Sequence, residues 1–412
     1  MWWRRVPVRK ILGRVALTTL AAQAVTLAAL AVVDNNRKRH RRPVVFPRVP
    51  PRTVTAGGSE VTIYTYGEDL YADMLTAIEH AREQIFFETF IWKGDEIGQR
   101  FKDALTAAAD RGVQVYLVYD VFANLVVPPS FFRFAESIHV KRHPLVGGGW
   151  RFLNPRYSGR NHRKLLIIDH DVAYIGGYNV GSLYATDWRD THARLTGDIV
   201  GEMENAFIDY WNMPPARKAP ALPDASNRTW VPNFRVHRNI PRHFVYPIRG
   251  MYLEAIDRAK DHVYLTHAYL VPDEDFLHAL LAAAKRGVEV RIIVPAQSNH
   301  IVADWISRGF YKTLLAGGVR LFLYQGAMVH AKTATIDGQW STIGTANIDR
   351  LSLTGNYEIN VEIINERVAR ELEEIFAVDS SNTIELTLEQ WQSRHLVVKA
   401  SELILSPYRS LI

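Results

Sequence analysis

The 412-residue chain contains no cysteine, which removes disulfides, thiolate metal sites, iron–sulfur centres and thiol nucleophiles together. Acidic side chains are nearly missing from one end. Residues 1–52 hold 12 Lys/Arg against the single acid Asp34, whereas residues 53–412 hold 37 Lys/Arg and 42 Asp/Glu, a net −5. The overall charge of +6 is therefore a property of the N-terminus. A nucleic-acid partner argued from bulk charge loses its support, and none is expected. With 48% hydrophobic residues, the length suffices for two or three domains, each with its own core.

Charge is also absent from residues 15–33, where Ala, Leu and Val are diluted only by Gln23 and three Thr. That length is close to the thickness of a bilayer core. Arg4, Arg5, Arg9, Lys10 and Arg14 precede it, Arg37, Lys38, Arg39, Arg41 and Arg42 follow it, and Trp2 and Trp3 suit a headgroup interface. Ala29-Leu30-Ala31 would also fit a signal-peptide cleavage site. The basic cluster behind the apolar run opposes export, so the sequence reads as a single-pass anchor in a cell membrane with the rest of the chain on the cytoplasmic side. A buried Ala-rich core helix fits less well, because no polar face recurs at helical spacing. The expected organisation is a basic tail (1–14), a transmembrane anchor (15–33), a basic Pro-rich linker (34–57) whose cations sit against anionic lipid, and two domains (58–218 and 219–412).

Those two domains follow from an internal repeat. Residues 84–92, an apolar strand, are followed by a helical pattern over 98–110 and by Arg111-Gly112-Val113 leading into a β-branched run; residues 262–270, 275–285 and Arg286-Gly287-Val288 repeat the order. Gly112 and Gly287 stand where a helix C-terminus needs a left-handed residue, and the runs after them read as buried parallel strands. Each half is therefore an α/β unit, with Pro-rich sequence over 214–232 between them.

Each half then carries His-x-Lys-x-x-x-x-Asp, as His162, Lys164 and Asp169 and as His330, Lys332 and Asp337. Gly176 and Gly344, Asn179 and Asn347, and the acids Asp190 and Glu358 recur at the same offset of 168 residues. His and Lys two apart on an extended segment share a face. Asp337-Gly338 signals a hairpin, and Gly176-Gly177 and Gly344-Thr345 read as places where backbone approaches a bound group. Singly, each residue is commonplace. Paired, they supply two imidazoles, two ammonium groups and two amides, which suits an oxyanion with developing charge, phosphate above all. A zinc site would need further ligands and would suffer from the neighbouring lysines, so no metal is expected.

This duplicated motif resembles that of the phospholipase D superfamily, and within it the bacterial cardiolipin synthases and close phosphatidyltransferases. The resemblance spans about residues 58–412. Its most specific parts are Arg160-Asn161-His162-Arg163-Lys164, Trp188-Arg189-Asp190-Thr191-His192, Val271-Pro272-Asp273-Glu274 and Met328-Val329-His330-Ala331-Lys332-Thr333. Ala268-Tyr269-Leu270 stands where the family usually has Pro-Tyr-Phe, and one apolar span stands where many synthases have two. The resemblance implies two similar α/β domains face to face around a shared active site and a two-step reaction without cofactor. His162 is implied as nucleophile, His330 as proton donor and acceptor, and Lys164, Asn179, Lys332 and Asn347 as phosphate ligands. Asp190 and Glu358 would orient the imidazoles, of their own half or the other. Asp169 and Asp337 complete the catalytic motifs, at strand ends where they hold turn and lysine in place. The implied partner is a phospholipid, phosphatidylglycerol first. Water as acceptor would make the enzyme a phospholipase, and a nuclease or a silent membrane scaffold are the remaining alternatives. The anchor, the linker, Phe131-Phe132-Arg133-Phe134 and Trp305 to Tyr311 favour a lipid surface, although ordinary core packing explains the aromatics equally well. Oligomeric state stays open.

Overall fold

The computed structural model describes residues 44–145, 157–214, 220–223, 230–299 and 301–394. The expected anchor at 15–33 lies outside the described residues. Among those described, no helix is long and apolar enough to cross a membrane.

The first half runs β1 (Arg52–Ala56), β2 (Ser59–Tyr64), α1 (Gly67–His80), β3 (Gln84–Thr89), α2 (Glu96–Asp110), β4 (Gln114–Asp120), β5 (Ile138–His143), β6 (Leu165–Ile168), β7 (Val172–Gly176), α3 (Ser182–Thr186), β8 (Trp188–Arg189), β9 (His192–Gly197) and α4 (Ile199–Asn212). The second half runs β10 (Phe234–Asn239), α5 (Pro247–Arg258), β11 (His262–His267), α6 (Glu274–Lys285), β12 (Glu289–Pro295), α7 (Ile301–Ala316), β13 (Arg320–Tyr324), β14 (Met328–Val329), β15 (Lys332–Ile336), β16 (Trp340–Gly344), α8 (Arg350–Thr354), β17 (Glu358–Ile364), α9 (Glu366–Ser381), β18 (Thr383–Leu386) and α10 (Leu388–Gln392).

Each half builds one eight-stranded mixed sheet, in the orders β1-β2-β9-β7-β6-β3-β4-β5 and β10-β17-β16-β15-β11-β12-β13-β18. The duplicated Arg-Gly-Val turns account for the parallel centre. Gly112 and Gly287 both take φ +95, and the amides of Val113 and Val288 return to Ala108 and Ala283 at 3.1 Å, closing each helix. Arg111 and Arg286 then reach back to the carbonyls of Ile78 (3.1 Å) and Ile256 (3.0 Å), binding each helix end to the preceding helix. β4 and β12 consequently lie parallel to β3 and β11.

Helices α1, α2 and α3 cover the outer face of the first sheet, and α5 and α6 that of the second. Between the sheets lies a shared core in which Phe86, Leu165, Ile175, Phe207 and Trp211 meet Ile343, Ile359, Val361 and Leu372. The halves are thus joined by close-packed apolar side chains, which fixes the geometry of anything built across them.

The end of the expected linker behaves differently from the reading of free cations on lipid. Phe46 packs among Ile293, Phe322, Tyr324 and Phe376 of the second half, β1 pairs with β2, Arg48 lies 3.5 Å over the Tyr66 ring, and Arg52 meets Glu374 at 2.5 Å. Burial of one aromatic pins the extended segment to the protein, and these two arginines turn to its side chains. Phe131, Phe132 and Phe134 likewise surround Trp92, at 5.7, 6.3 and 5.8 Å between centroids, so core packing accounts for them.

Candidate active site

β6 and β15 occupy equivalent central places in their sheets, each between a hairpin partner and the first strand of the parallel set. The extended residues leading into them dock across the interface. The His162 amide donates to the Tyr357 carbonyl at 3.0 Å, and the His330 amide to the Arg189 carbonyl at 2.7 Å. Each histidine is therefore fixed by the segment that carries the acid of the other half. His162 Nδ1 lies 3.0 Å from Glu358 Oε2, and His330 Nδ1 lies 2.6 Å from Asp190 Oδ2. The pairing is crosswise, which leaves Nε2 of each ring to face a reactant.

The acids are held in turn. Asp190 accepts the Thr191 amide at 2.7 Å, and its neighbour Arg189 forms a fully buried, two-pronged ion pair with Asp379 of α9 at 2.9 and 2.6 Å. A Cβ on Gly177 would fall 2.1 Å from Asp190 Oδ1. Glu358 accepts the Thr345 hydroxyl at 2.5 Å, while its other oxygen has no hydrogen-bond partner among the described residues. The glycines expected to admit a bound group instead admit the protein itself. A Cβ on Gly176 would meet the His192 backbone at 2.5 Å, and one on Gly344 the Asn360 side chain at 2.3 Å.

Lys164 and Lys332 are buried and donate to the carbonyls of their own motif histidines, Lys164 at 2.6 Å. Arg163, between His162 and Lys164, points the other way to Glu88 (3.1 Å) and the Ala206 carbonyl (2.8 Å), as two-residue periodicity requires. Burial lowers Lys164 to about 7 and Lys332 to about 8. Burial also drives His162 well below the ordinary imidazole value, and both lysines push it further. His330 is lowered to about 3 by burial and then by Lys332 and Lys164. That both lysines act on both imidazoles places the two motifs in one electrostatic environment.

The two carboxyls differ. Burial opposes ionisation of Asp190, but His330 and Lys332 outweigh it and hold the carboxyl below its usual range. At Glu358 burial wins over the lysines and raises the carboxyl to about 8. The His330 pair therefore holds its carboxylate ionised, whereas burial in the His162 pair favours the protonated acid.

Asn179 and Asn347 are buried beside their motifs. Asn179 Oδ1 accepts the Ile91 amide at 3.1 Å, which aims its NH2 elsewhere, and Asn347 Oδ1 has no partner among the described residues. Asp169 and Asp337 belong to another place. Five residue steps of strand at about 3.3 Å each separate them from the lysines, and they accept three backbone amides apiece, Arg82, Glu83 and Gln84 at 2.7 to 2.9 Å and Lys260, Asp261 and His262 at 2.8 to 2.9 Å. They knit turns at the far edge of each sheet and touch neither histidine.

The site also contains side chains that comparison of the two motifs at one offset does not reveal. His267 pairs with Lys332 across the β11–β15 ladder, and His192, opposite Gly176, shares a small cavity with Lys164 and Asn179. Burial lowers both imidazoles to about 3, and none of their ring nitrogens has a hydrogen-bond partner among the described residues. At the 168-residue offset His192 matches Asn360, while His267, the last residue of β11, matches Thr89, the last residue of β3, so the imidazole changes strand between halves. Phe90 sets its edge 4.7 Å from the His162 ring, and Trp188 lies 4.9 Å from that of His330.

The family described as "Cardiolipin synthase, PLD-like domain" matches residues 74–211 and 252–380. A cardiolipin synthase of Clostridium perfringens is 32% identical over 375 residues, covering 84% of this chain and 76% of that protein. Cardiolipin synthase 2 of Staphylococcus epidermidis is 32% identical over 362 residues, covering 84% and 72%. Among solved structures, the phosphatidylserine synthase of Haemophilus influenzae superposes with a TM-score of 0.68 over 92% of this chain and 97% of its own, at 12% identity, a likeness of fold. Family match, relatives and duplicated architecture agree: the chain belongs to the cardiolipin synthase family of phospholipase D-like proteins.

Proposed function

We propose that this protein is a membrane-anchored phosphatidyltransferase that makes cardiolipin and glycerol from two molecules of phosphatidylglycerol. The observation that carries the chemistry is the crosswise set of two imidazole–carboxyl pairs with two buried lysines between them. His162 Nε2 attacks phosphorus, the bond from phosphorus to the headgroup glycerol oxygen breaks, and His330 delivers its proton to that oxygen. His330 then removes a proton from the headgroup hydroxyl of a second phosphatidylglycerol, whose oxygen attacks phosphorus as the bond to His162 breaks.

The unequal carboxyls support this division of labour. An imidazole that must carry a proton benefits from an ionised carboxylate, which Asp190 supplies at 2.6 Å. Burial and the two lysines resist protonation at both imidazoles, so the ionised Asp190 carboxylate is what singles out His330 as the ring to carry the proton, leaving His162 to attack as a neutral base. Lys164 and Lys332, with the amides of Asn179 and Asn347, meet the non-bridging oxygens as charge grows on them.

Residues 15–33 are the proposed single-pass anchor, with the catalytic halves on the cytoplasmic side. Purified full-length enzyme in phosphatidylglycerol vesicles is expected to give cardiolipin and free glycerol in excess of phosphatidic acid, and added glycerol is expected to drive the reaction backwards. Dominant phosphatidic acid at every lipid composition would make the enzyme a hydrolase.

A further inference from the structure

Exposed apolar side chains gather where the C-terminal ends of the parallel strands meet the mouth of the site. The turn after β4 presents Phe122, Leu125 and Val126, the last two 58% and 80% exposed, and Leu145 follows β5. Contacts tie these into one surface around residues 159–162. The Arg160 guanidinium lies 5.0 Å over the Phe122 ring and donates to the Leu145 carbonyl at 2.7 Å. The Arg160 amide donates to Asn356 Oδ1 at 3.0 Å, and the Asn356 amide reaches the carbonyl of exposed Leu351 at 2.7 Å.

This surface differs in charge from the rest of the molecule. Residues 121–135, 137–145, 157–162 and 350–357 contain no Asp or Glu, and each contributes arginine, whereas residues 53–412 as a whole are net acidic. Aliphatic tips beside the Arg160 guanidinium complement an anionic lipid surface.

The apolar turn is also bolted to the proposed nucleophile. Asp120 Oδ1 accepts the amides of Phe122 and Ala123 at 2.8 and 3.2 Å, while its Oδ2 accepts that of Asn161 at 3.0 Å, one residue before His162. Asn124 accepts the Trp92 amide at 2.8 Å and donates to the carbonyl of Phe90, the ring against His162. Whatever seats the turn therefore also positions the imidazole.

We propose that the rim formed by residues 122–126, Leu145 and Leu351 around Arg160 is the face by which the catalytic halves seat on an anionic phospholipid bilayer, with Leu125 and Val126 entering the interface. This rests on the lipid-substrate reading above and names the surface through which substrate is reached. The chain has no cysteine, so Val126→Cys in the full-length protein gives a single thiol for an environment-sensitive fluorophore. Asp110→Cys, at the C-terminus of α2 on the opposite sheet edge, is the control, and Leu125→Cys repeats the measurement should a label at 126 disturb folding. In phosphatidylglycerol vesicles containing spin-labelled lipid, quenching at 126 is expected to be several-fold stronger than at 110, and to fall in wholly zwitterionic vesicles. Equal quenching at both positions, none at 126, or no loss in zwitterionic vesicles overturns the proposal. Lipid products from the same vesicles separate the two readings: quenching at 126 without cardiolipin sinks the synthase and leaves the surface standing, and cardiolipin without quenching does the reverse.

Discussion

His162 Nδ1 stands 3.0 Å from Glu358 Oε2, across 196 residues of chain and from one half of the molecule to the other. With its counterpart between His330 and Asp190, this contact makes each half incomplete without the other and the two motifs parts of one site.

His162→Ala and His330→Ala should each lower turnover by about 10³-fold or more, and the double variant should be little worse than either, because groups acting in one sequence of steps are not additive. Steady-state rates of the four proteins decide it; independent, multiplying losses would point to two separate sites.

Glu358→Gln should separate stability from activity. The carboxyl titrates at about 8 in the folded protein against an ordinary 4.5, so the folded state holds the proton more tightly. Stability from that group is complete below 4.5 and drains away as pH rises through 8. Glutamine does not titrate, so the variant's melting temperature should gain on the parent as pH rises across that window. Turnover should drop, since glutamine, unlike the acid, cannot release a proton to stabilise the positive charge that His162 gains as it attacks. A melting-temperature difference independent of pH would contradict the assignment.

On a short-chain soluble substrate, kcat/KM should decline as pH rises through about 7 to 8, as the buried ammonium groups of Lys164 and Lys332 lose their protons. The corresponding limb of kcat should lie at higher pH, because a bound phosphodiester anion favours the charged lysines. A kcat/KM profile flat from neutral to alkaline pH would remove the lysines from phosphate binding.

Asp169→Ala should act on the fold. Losing the acceptor of three turn amides should cost about 1–3 kcal/mol of stability, read as a lower denaturant midpoint, with turnover per folded molecule near that of the parent. A loss of turnover matching that of His162→Ala at unchanged stability would return Asp169 to the chemistry.

Much of this is legible in the sequence. The two-residue step from His162 to Lys164 fixes a shared face, the offset of 168 finds the paired groups, and Arg-Gly-Val marks two helix ends that feed parallel strands. The crosswise pairing was not legible, because it depends on the Tyr357 and Arg189 carbonyls taking amides from the opposite half, a docking geometry with no local signature. Gly176 and Gly344 misled for a related reason: a glycine signals space, and here His192 and Asn360 from neighbouring strands fill it. Phe131 to Phe134 looked as suited to lipid as to a core, and only the position of Trp92 decides between them. The apolar turn at Phe122 to Val126 carries no motif and stands out only by its exposure.

The most direct test of the shared site uses a phosphodiester with a nitrophenolate leaving group, whose departure needs no acid. Mixed with His330→Ala enzyme, it should release a burst of one nitrophenolate per chain, and mass spectrometry of the alkali-quenched protein should find the phosphoryl adduct on His162, stranded because no base activates the acceptor. The same burst in His162→Ala with the adduct on His330, or two adducts per chain in the parent, would contradict a single site with His162 as its nucleophile.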